Sequence, residues 1–361
     1  MPEPVRRPGV HGAGLRARID MVLREFVDRE AGLLEELSPE LGPVGRQLRA
    51  AVADGKRLRA MFCYWGWRAA GQGDSDAVLR AAASMELVHA AALVHDDLID
   101  DSPIRRGAPS AHVALRHAVP EDGRPDAAAR ALAMLVGDLL MAWAGQLFTG
   151  CGLPGAYVSR ARTLWSTLAR ELIAGECLEV LRTPAQADRA GPGRVQDAVM
   201  VARFKTAKYT IEHPLQLGGR LGGAGAALLR TFTAYGVPLG EAFQLRDDVL
   251  AVFGDSAVTG KSNLDDVIGA KPTALMACAF ETADAAGREQ LRALLGRGDL
   301  DAADLARLRG LLTGIGARTQ VEEMIRQRAA SARQALAWSA MPRQAARALD
   351  ELVGAVVDRE S

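Results

Sequence analysis

Aromatic residues make up only 5% of this 361-residue chain, and there are four cysteines. The scarcity of Phe, Tyr and Trp beside abundant Ala and Leu disfavours strands and favours helices. Cys63, Cys151, Cys177 and Cys278 are scattered, with no Cys-x-x-Cys and no metal spacing. They read as reduced thiols in helices, which excludes a disulfide frame and a structural zinc. Net charge is missing too, since 44 basic and 44 acidic residues cancel. A global pull toward nucleic acid or an anionic membrane is therefore unsupported, and local basic clusters must face local anions. No apolar run reaches about 18 residues without interruption. Residues 1–14 hold Arg6, Arg7, Pro8 and Gly12 but no hydrophobic signal core. A cytoplasmic protein without stable membrane insertion is expected. No Pro/Gly/Ser-rich linker divides the chain, so one large domain over 15–361 is expected after a flexible leader over 1–14.

What the chain does have is a long apolar run that ends abruptly in carboxylates. From His89 to Gly107 it reads His-Ala-Ala-Ala-Leu-Val-His-Asp-Asp-Leu-Ile-Asp-Asp-Ser-Pro-Ile-Arg-Arg-Gly. As a helix, it places Asp96 and Asp100 one turn apart on one face with Asp97 beside them, so three carboxylates converge within about 6 Å. They repel one another, and a helix C-terminus, marked here by Ser102-Pro103, adds partial negative charge. The arrangement makes sense around a bound cation. Oxygen-only ligands with neither Cys nor paired His point to Mg²⁺ rather than zinc, and Mg²⁺ takes one or two carboxylates plus phosphate oxygens. A second such stretch runs from Phe243 through Gln244, Arg246, Asp247, Asp248 and Ala251 to Asp255, again at the end of an apolar helix. Lys56 and Arg59, just after Asp54-Gly55, stand at i, i+3 at the start of another helix. Both heads can then point to one side, where exposed N–H groups also favour an anion such as phosphate.

Taken in order and spacing, these pieces resemble the all-trans isoprenyl diphosphate synthases, or polyprenyl synthetases, over nearly the whole chain. The resemblance rests on Gly55-Lys56-Arg57-Leu58-Arg59, the first aspartate-rich stretch with Arg105-Arg106, Lys205-Thr206, the second stretch with Gln244, and Lys261 and Lys271. The expected fold is all-α, a single large bundle of roughly ten to thirteen helices around a deep central cavity, with the aspartate-rich stretches facing each other at its mouth. The resemblance implies three Mg²⁺ ions bridging Asp96, Asp100 and Asp247 to an allylic diphosphate, with Asp97 and Asp248 completing the two motifs. Arg105, Lys205 and Lys261 would take the remaining charge. Isopentenyl diphosphate would lie against Lys56, Arg59, His89 and Arg106, and Thr206, Gln244 and Lys271 belong to the substrate site. Dimethylallyl, geranyl or farnesyl diphosphate would be the allylic partner. Its ionisation leaves a cation that the double bond of isopentenyl diphosphate attacks, with the departing diphosphate as base and no protein nucleophile. A homodimer is expected, because the helices near 126–149 and 156–182 carry more apolar positions than one buried stripe needs.

The chain departs from the family's pattern in three places. Ala60 stands where a proline is usual, with an expected effect only on the helix start. Glu176 and Glu179 stand where Gln-x-x-Asp is usual, which adds a negative charge. Ala251 replaces the third aspartate of the second motif; two carboxylates can still hold Mg²⁺, so activity should be retained. Glu86-x-x-His89 resembles half of a di-iron carboxylate site, but such a site needs a second copy and the chain has none. Some residues read as structural: a buried His95, the pair Gly137-Asp138, a solvated Lys208, and Gly218-Gly219 and Gly222-Gly223 at close helix packing. Residues 254–272, with Lys261, Asp265, Asp266 and Lys271, read as a lid-like loop.

In the family a bulky aromatic at the fourth or fifth residue before the first aspartate stops growth at fifteen carbons. Those positions are Ala92 and Ala91 here, with Val88 a turn deeper. The first long side chain is Met85, beside Ser84 and about three turns or ~16 Å below Asp96. That depth suits geranylgeranyl diphosphate, with longer polyprenyl chains if the flexible Met85 turns aside. Two other classes remain open. A terpene cyclase needs one strong aspartate motif and no isopentenyl-binding cations, and Lys56, Arg59 and Arg106 oppose it. A non-catalytic partner of an active synthase is kept open by Ala251 and Glu176.

Overall fold

The structure is a computed structural model that describes residues 13–121, 123–182, 194–254, 265–269 and 271–358. It is almost wholly helical, and two two-residue strands are the only β-structure among the described residues. The all-α expectation holds. Contacts divide the chain into two compact units: residues 1–103, 108–161 and 217–224, and residues 104–107, 162–216 and 225–361.

In the first unit α4 (Asp76–Ile99) is the centre, packed on α1 (Ala13–Leu37), α2 (Gly42–Val52), α3 (Leu58–Ala69), α5 (Ala111–Arg116) and, most extensively, α6 (Pro125–Thr149). Small buried residues let α4 and α6 approach closely: Ala81, Ala82, Ala83, Ala90 and Ala91 on one, Ala129, Ala133, Gly137 and Ala144 on the other. Ser75 starts α4 by accepting the Ala77 N–H at 3.2 Å, and Asp76 suits the positive end of the helix. By length and composition α4 and α6 could each cross a membrane, which run length alone did not reveal. The apolar window of α4 is nevertheless 72% buried, as a core helix is.

The second unit holds most of α7 (Gly155–Leu181), α8 (Val195–Ala202), a π-helix (Arg203–Glu212) and the start of α9 (His213–Leu221). It continues with α10 (Ala226–Phe253), α11 (Asp265–Ile268), α12 (Ala274–Thr282), α13 (Ala285–Leu294), α14 (Ala302–Gly314), α15 (Ala317–Ala337) and α16 (Arg343–Val357). Here α10 is the centre, packed on the π-helix and α15. Each unit is thus built on one long helix that ends in the aspartates.

There are more helical segments than the ten to thirteen expected, because short helices such as α5 and α11 add to the long ones and because 195–221 is not one helix. Its middle is a ten-residue π-helix, in which the His213 N–H reaches back five residues to the Lys208 carbonyl. The neighbours accommodate its width with glycines. A β-carbon on Gly175 of α7 would lie 2.6 Å from Lys205 Cα, and one on Gly236 of α10 would lie 2.7 Å from Glu212 Cα. Pro238, inside α10 and close to Gly236, removes one bond from that helix's own ladder at the same contact. At the first unit's end of α9, a β-carbon on Gly218 would lie 2.8 Å from Trp67 N, the close helix packing read from the glycines. All four cysteines are free thiols, and burial pushes Cys63 up to about 12. Of the lid-like loop read over 254–272, residues 255–264, Lys261 among them, and residue 270 lie outside the described residues.

Candidate active site

Three residues other than glycine have left-handed φ among the described residues: Arg57, Asp101 and Arg106. Each lies in a stretch singled out from the sequence. L-residues there cost roughly 1–2 kcal/mol apiece, and such strain persists where surrounding structure over-determines it.

At Asp101 the cause is the end of α4. The Ser102 N–H donates to the Asp97 carbonyl at 3.0 Å, closing a Schellman turn whose left-handed position is usually Gly but here is Asp101. Arg130 of α6 holds that turn. Its Nη2 donates to the Leu98 carbonyl at 2.6 Å and its Nη1 to Asp101 Oδ1 at 2.5 Å. His112 Nε2 is 3.8 Å from the same oxygen, and burial, then the Arg130 charge, lowers its pKa. Part of the charge that four clustered carboxylates require is therefore supplied by Arg130, which the sequence reading missed. Asp97 is buried, Asp96 half-buried and Asp100 exposed. With His89, Ala92 and Leu93, the last two form a partly open stripe beyond the fully buried run from Ala81 to Val88. The deeper Val88, Ala91 and Met85 are all buried.

His95 is half-buried rather than buried. Its Nε2 is 3.2 Å from the Met134 carbonyl and 3.5 Å from Asp138 Oδ1, so the pair Gly137-Asp138 is where α6 receives it.

At the start of α3 the sequence geometry needs correction. The helix begins at Leu58 with Arg57 as its left-handed N-cap, so Lys56 precedes the helix and does not share a helical face with Arg59. Lys56 is exposed and Arg59 buried. Arg57 is the anchor of this turn: Nε donates to Asp20 at 2.6 Å and Nη2 to the Val52 carbonyl at 2.6 Å. The departure at Ala60 has a use. Its N–H, which a proline lacks, donates to the buried Glu86 Oε1 at 3.0 Å, and that bond also accounts for Glu86 without a di-iron site. The third left-handed residue, Arg106, joins Gly107 as the two-residue turn between β1 (Ile104–Arg105) and β2 (Ala108–Pro109), with positive φ at both positions as a type I′ turn requires. Arg105 is half-buried and Arg106 exposed.

In the second unit the π-helix carries Lys205, Thr206 and Lys208. The Lys205 ammonium lies between Glu176 Oε2, 3.1 Å away, and Glu179 on α7. The two acidic departures are therefore its partners. Lys208 is not solvated: Glu171 lies 2.8 Å and Glu212 3.6 Å from its Nζ. Thr206 donates to Gln244 Oε1 at 2.7 Å, and Gln244 Nε2 donates to Asp248 Oδ1 at 3.0 Å. Asp248 is buried, while Asp247 and Ala251 are half-buried, one turn apart on the partly open face of α10. Arg246 points elsewhere, gripping Glu322 with two bonds of 2.7 and 2.8 Å. Lys271 is half-buried just before the Thr273 cap of α12.

In each unit, then, the accessible donors at the end of the central helix are carboxylate oxygens, Asp96 and Asp100 in one and Asp247 in the other. Such a hard, oxygen-only donor set fits Mg²⁺. Comparison with known proteins agrees. Residues 44–312 match the polyprenyl synthetase family. The chain is 30% identical to the geranylfarnesyl diphosphate synthase of Aeropyrum pernix over 287 residues, 78% of this chain and 83% of that one. It is also 30% identical to the nonaprenyl diphosphate synthase of Mycobacterium tuberculosis over 330 residues, 91% and 88% of the two chains. The fold superposes with a TM-score of 0.90 and 31% identity on the geranylgeranyl pyrophosphate synthase of Corynebacterium glutamicum, solved with isoprenyl diphosphate and magnesium, covering 97% of this chain and all of that one. A family match over most of the chain, together with a half-open carboxylate face at the end of each central helix, makes this chain a member of the polyprenyl synthetase family.

Proposed function

We propose that the protein condenses isopentenyl diphosphate with an allylic diphosphate and releases geranylgeranyl diphosphate as its main product. The observation that carries the chain length is the face of α4: Ala92 is half-buried four residues before Asp96, and the first long side chain below it is the buried Met85. The related synthases range from farnesyl to nonaprenyl diphosphate synthases, so length must be argued from this face rather than from relatedness.

In this proposal Asp96, Asp100 and Asp247 hold Mg²⁺, which supplies positive charge against the leaving diphosphate. Lys205, Arg105 and Lys261 take the rest of that charge. Cations fixed in place before the C–O bond breaks stabilise the growing negative charge more than the ground state. For Lys205 this means exchanging Glu176 and Glu179 for phosphate oxygens. Lys56, Arg59, His89 and Arg106 hold isopentenyl diphosphate so that its double bond meets the allylic cation, and the departing diphosphate takes the proton. We also propose a cytoplasmic homodimer. Met134 and Leu135 on α6, and Ile173, Val180 and Leu181 on α7, are exposed apolar side chains that self-association would cover; light scattering that finds a monomer at micromolar concentration counts against it.

The test is inorganic diphosphate release with Mg²⁺ and each allylic diphosphate, with and without isopentenyl diphosphate. Release that needs both substrates, giving a prenyl diphosphate lengthened in five-carbon steps, supports the proposal. Release from the allylic substrate alone with a hydrocarbon product makes the chain a cyclase, and no release makes it a non-catalytic partner.

A further inference from the structure

Asp248 belongs to the second aspartate motif, yet both of its carboxylate oxygens are engaged within the protein. Only 7% exposed, it accepts the Ala274 N–H on Oδ2 at 2.9 Å and Gln244 Nε2 on Oδ1 at 3.0 Å. Ala274 is the first residue of α12, a helix end that favours an anion and so offsets the cost of burying one. A carboxylate only accepts. Gln244 must therefore turn its NH₂ toward Asp248 and its oxygen toward Thr206. An amide oxygen also only accepts, so the Thr206 hydroxyl commits its one proton to Gln244, at 2.7 Å. Each direction in this chain follows from donor and acceptor chemistry, independent of how the amide atoms are placed. The relay runs from the start of α12, through two positions one turn apart on α10, to the residue that follows Lys205 on the π-helix.

We propose that Asp248 is a positioning residue rather than a metal ligand. It fixes the polarity of Gln244 and Thr206, so that oxygen lone pairs, and not hydroxyl or amide protons, are what these side chains present to positive charge developing on an allylic substrate. The inference rests on the proposed function for its catalytic consequence, but the relay itself does not.

Asp248→Asn is the variant that separates the two roles, because Asn keeps the size and can still accept from Ala274, yet offers Gln244 a donor and releases its orientation. Two quantities are measured: turnover with both substrates, and the Mg²⁺ concentration that half-saturates binding of inorganic diphosphate by calorimetry. The relay predicts that turnover falls tenfold or more while the Mg²⁺ midpoint moves less than twofold. Thr206→Val, which removes the hydroxyl at nearly constant shape, should lose a similar factor, and the double variant no more than the worse single one. A tenfold rise in the Mg²⁺ midpoint of Asp248→Asn, wild-type turnover in it, or losses that multiply in the double variant would each overturn the relay. Should Asp248→Asn not fold, Thr206→Val decides alone, with wild-type turnover as the overturning result. A wild-type protein without turnover would sink the proposed function instead, and the calorimetric comparison, which needs only Mg²⁺ and inorganic diphosphate, would still decide the role of Asp248.

Discussion

His95 lies directly over Gly137: a β-carbon on that glycine would fall within 2.5 Å of His95 Cδ2. The residue before the first aspartate is thus seated in a notch of α6 that only glycine leaves open. Gly137→Ala should push the imidazole off the Met134 carbonyl and Asp138, tilting the last turn of α4. Overpacking of this kind costs about 1–3 kcal/mol. Urea unfolding should show a loss in that range together with reduced turnover, and a variant unchanged in both would mean the ring relaxes freely.

Asp96→Ala should reduce turnover by several orders of magnitude and leave helical circular dichroism intact, since Asp96 is a half-buried donor at a helix end rather than a core residue. Near-normal turnover in that variant would remove Asp96 from the metal site.

Ala251→Asp restores a third carboxylate one turn beyond Asp247 on the partly open face of α10. If two carboxylates suffice, turnover should change by less than about tenfold, or roughly 1.4 kcal/mol of barrier. A much larger gain would show that the natural chain is impaired and would favour a regulatory partner.

His213 sets a pH limit on stability. Burial pushes its imidazole down to about 4, against the pull of Glu171 Oε2 at 3.3 Å, and its Nδ1 has no hydrogen-bond partner among the described residues. Its folded pKa lies below the unfolded value near 6.5, so the unfolded chain binds the extra proton first. Above that value the group contributes nothing to pH dependence; as pH falls from about 6.5 toward 4, stability declines by on the order of 3 kcal/mol. His213→Gln should show a shallower decline in urea midpoint between pH 7 and 5 than the wild type. Equal slopes would mean that the buried imidazole is not what titrates.

The local parts of the site were legible in the sequence because they rest on short spacings. Asp96 and Asp100 share a helix face by their separation alone, and the alanines four and five residues earlier are read the same way. Partners distant in sequence were not legible. Arg130 stands 29 residues after Asp101 in sequence, and only its place seven residues before Gly137, on the same face of α6, hints at its role. Lys208 read as solvated because Glu171, its partner, lies on another helix. The π-helix was hidden because ten residues of apolar pattern do not distinguish bonds spanning five residues from bonds spanning four; Gly175, Gly236 and Gly240, where another backbone passes, were the available signal. At Lys56 and Arg59 the helical spacing misled, because a non-glycine residue between them adopts a left-handed φ that sequence rules assign to glycine.

In the proposed reaction, isoprene units are added to a chain that grows down the face of α4 toward Met85. Ala92 is the position to obstruct, because it is half-buried, whereas a phenylalanine at the fully buried Ala91 would overpack the core. The most direct measurement is the mass spectrum of products made from labelled isopentenyl diphosphate by three proteins side by side: wild type, Ala92→Phe and Met85→Ala. Growth down this face should give twenty carbons as the main product of the wild type, fifteen for Ala92→Phe and longer chains for Met85→Ala. The same distribution from all three would contradict it.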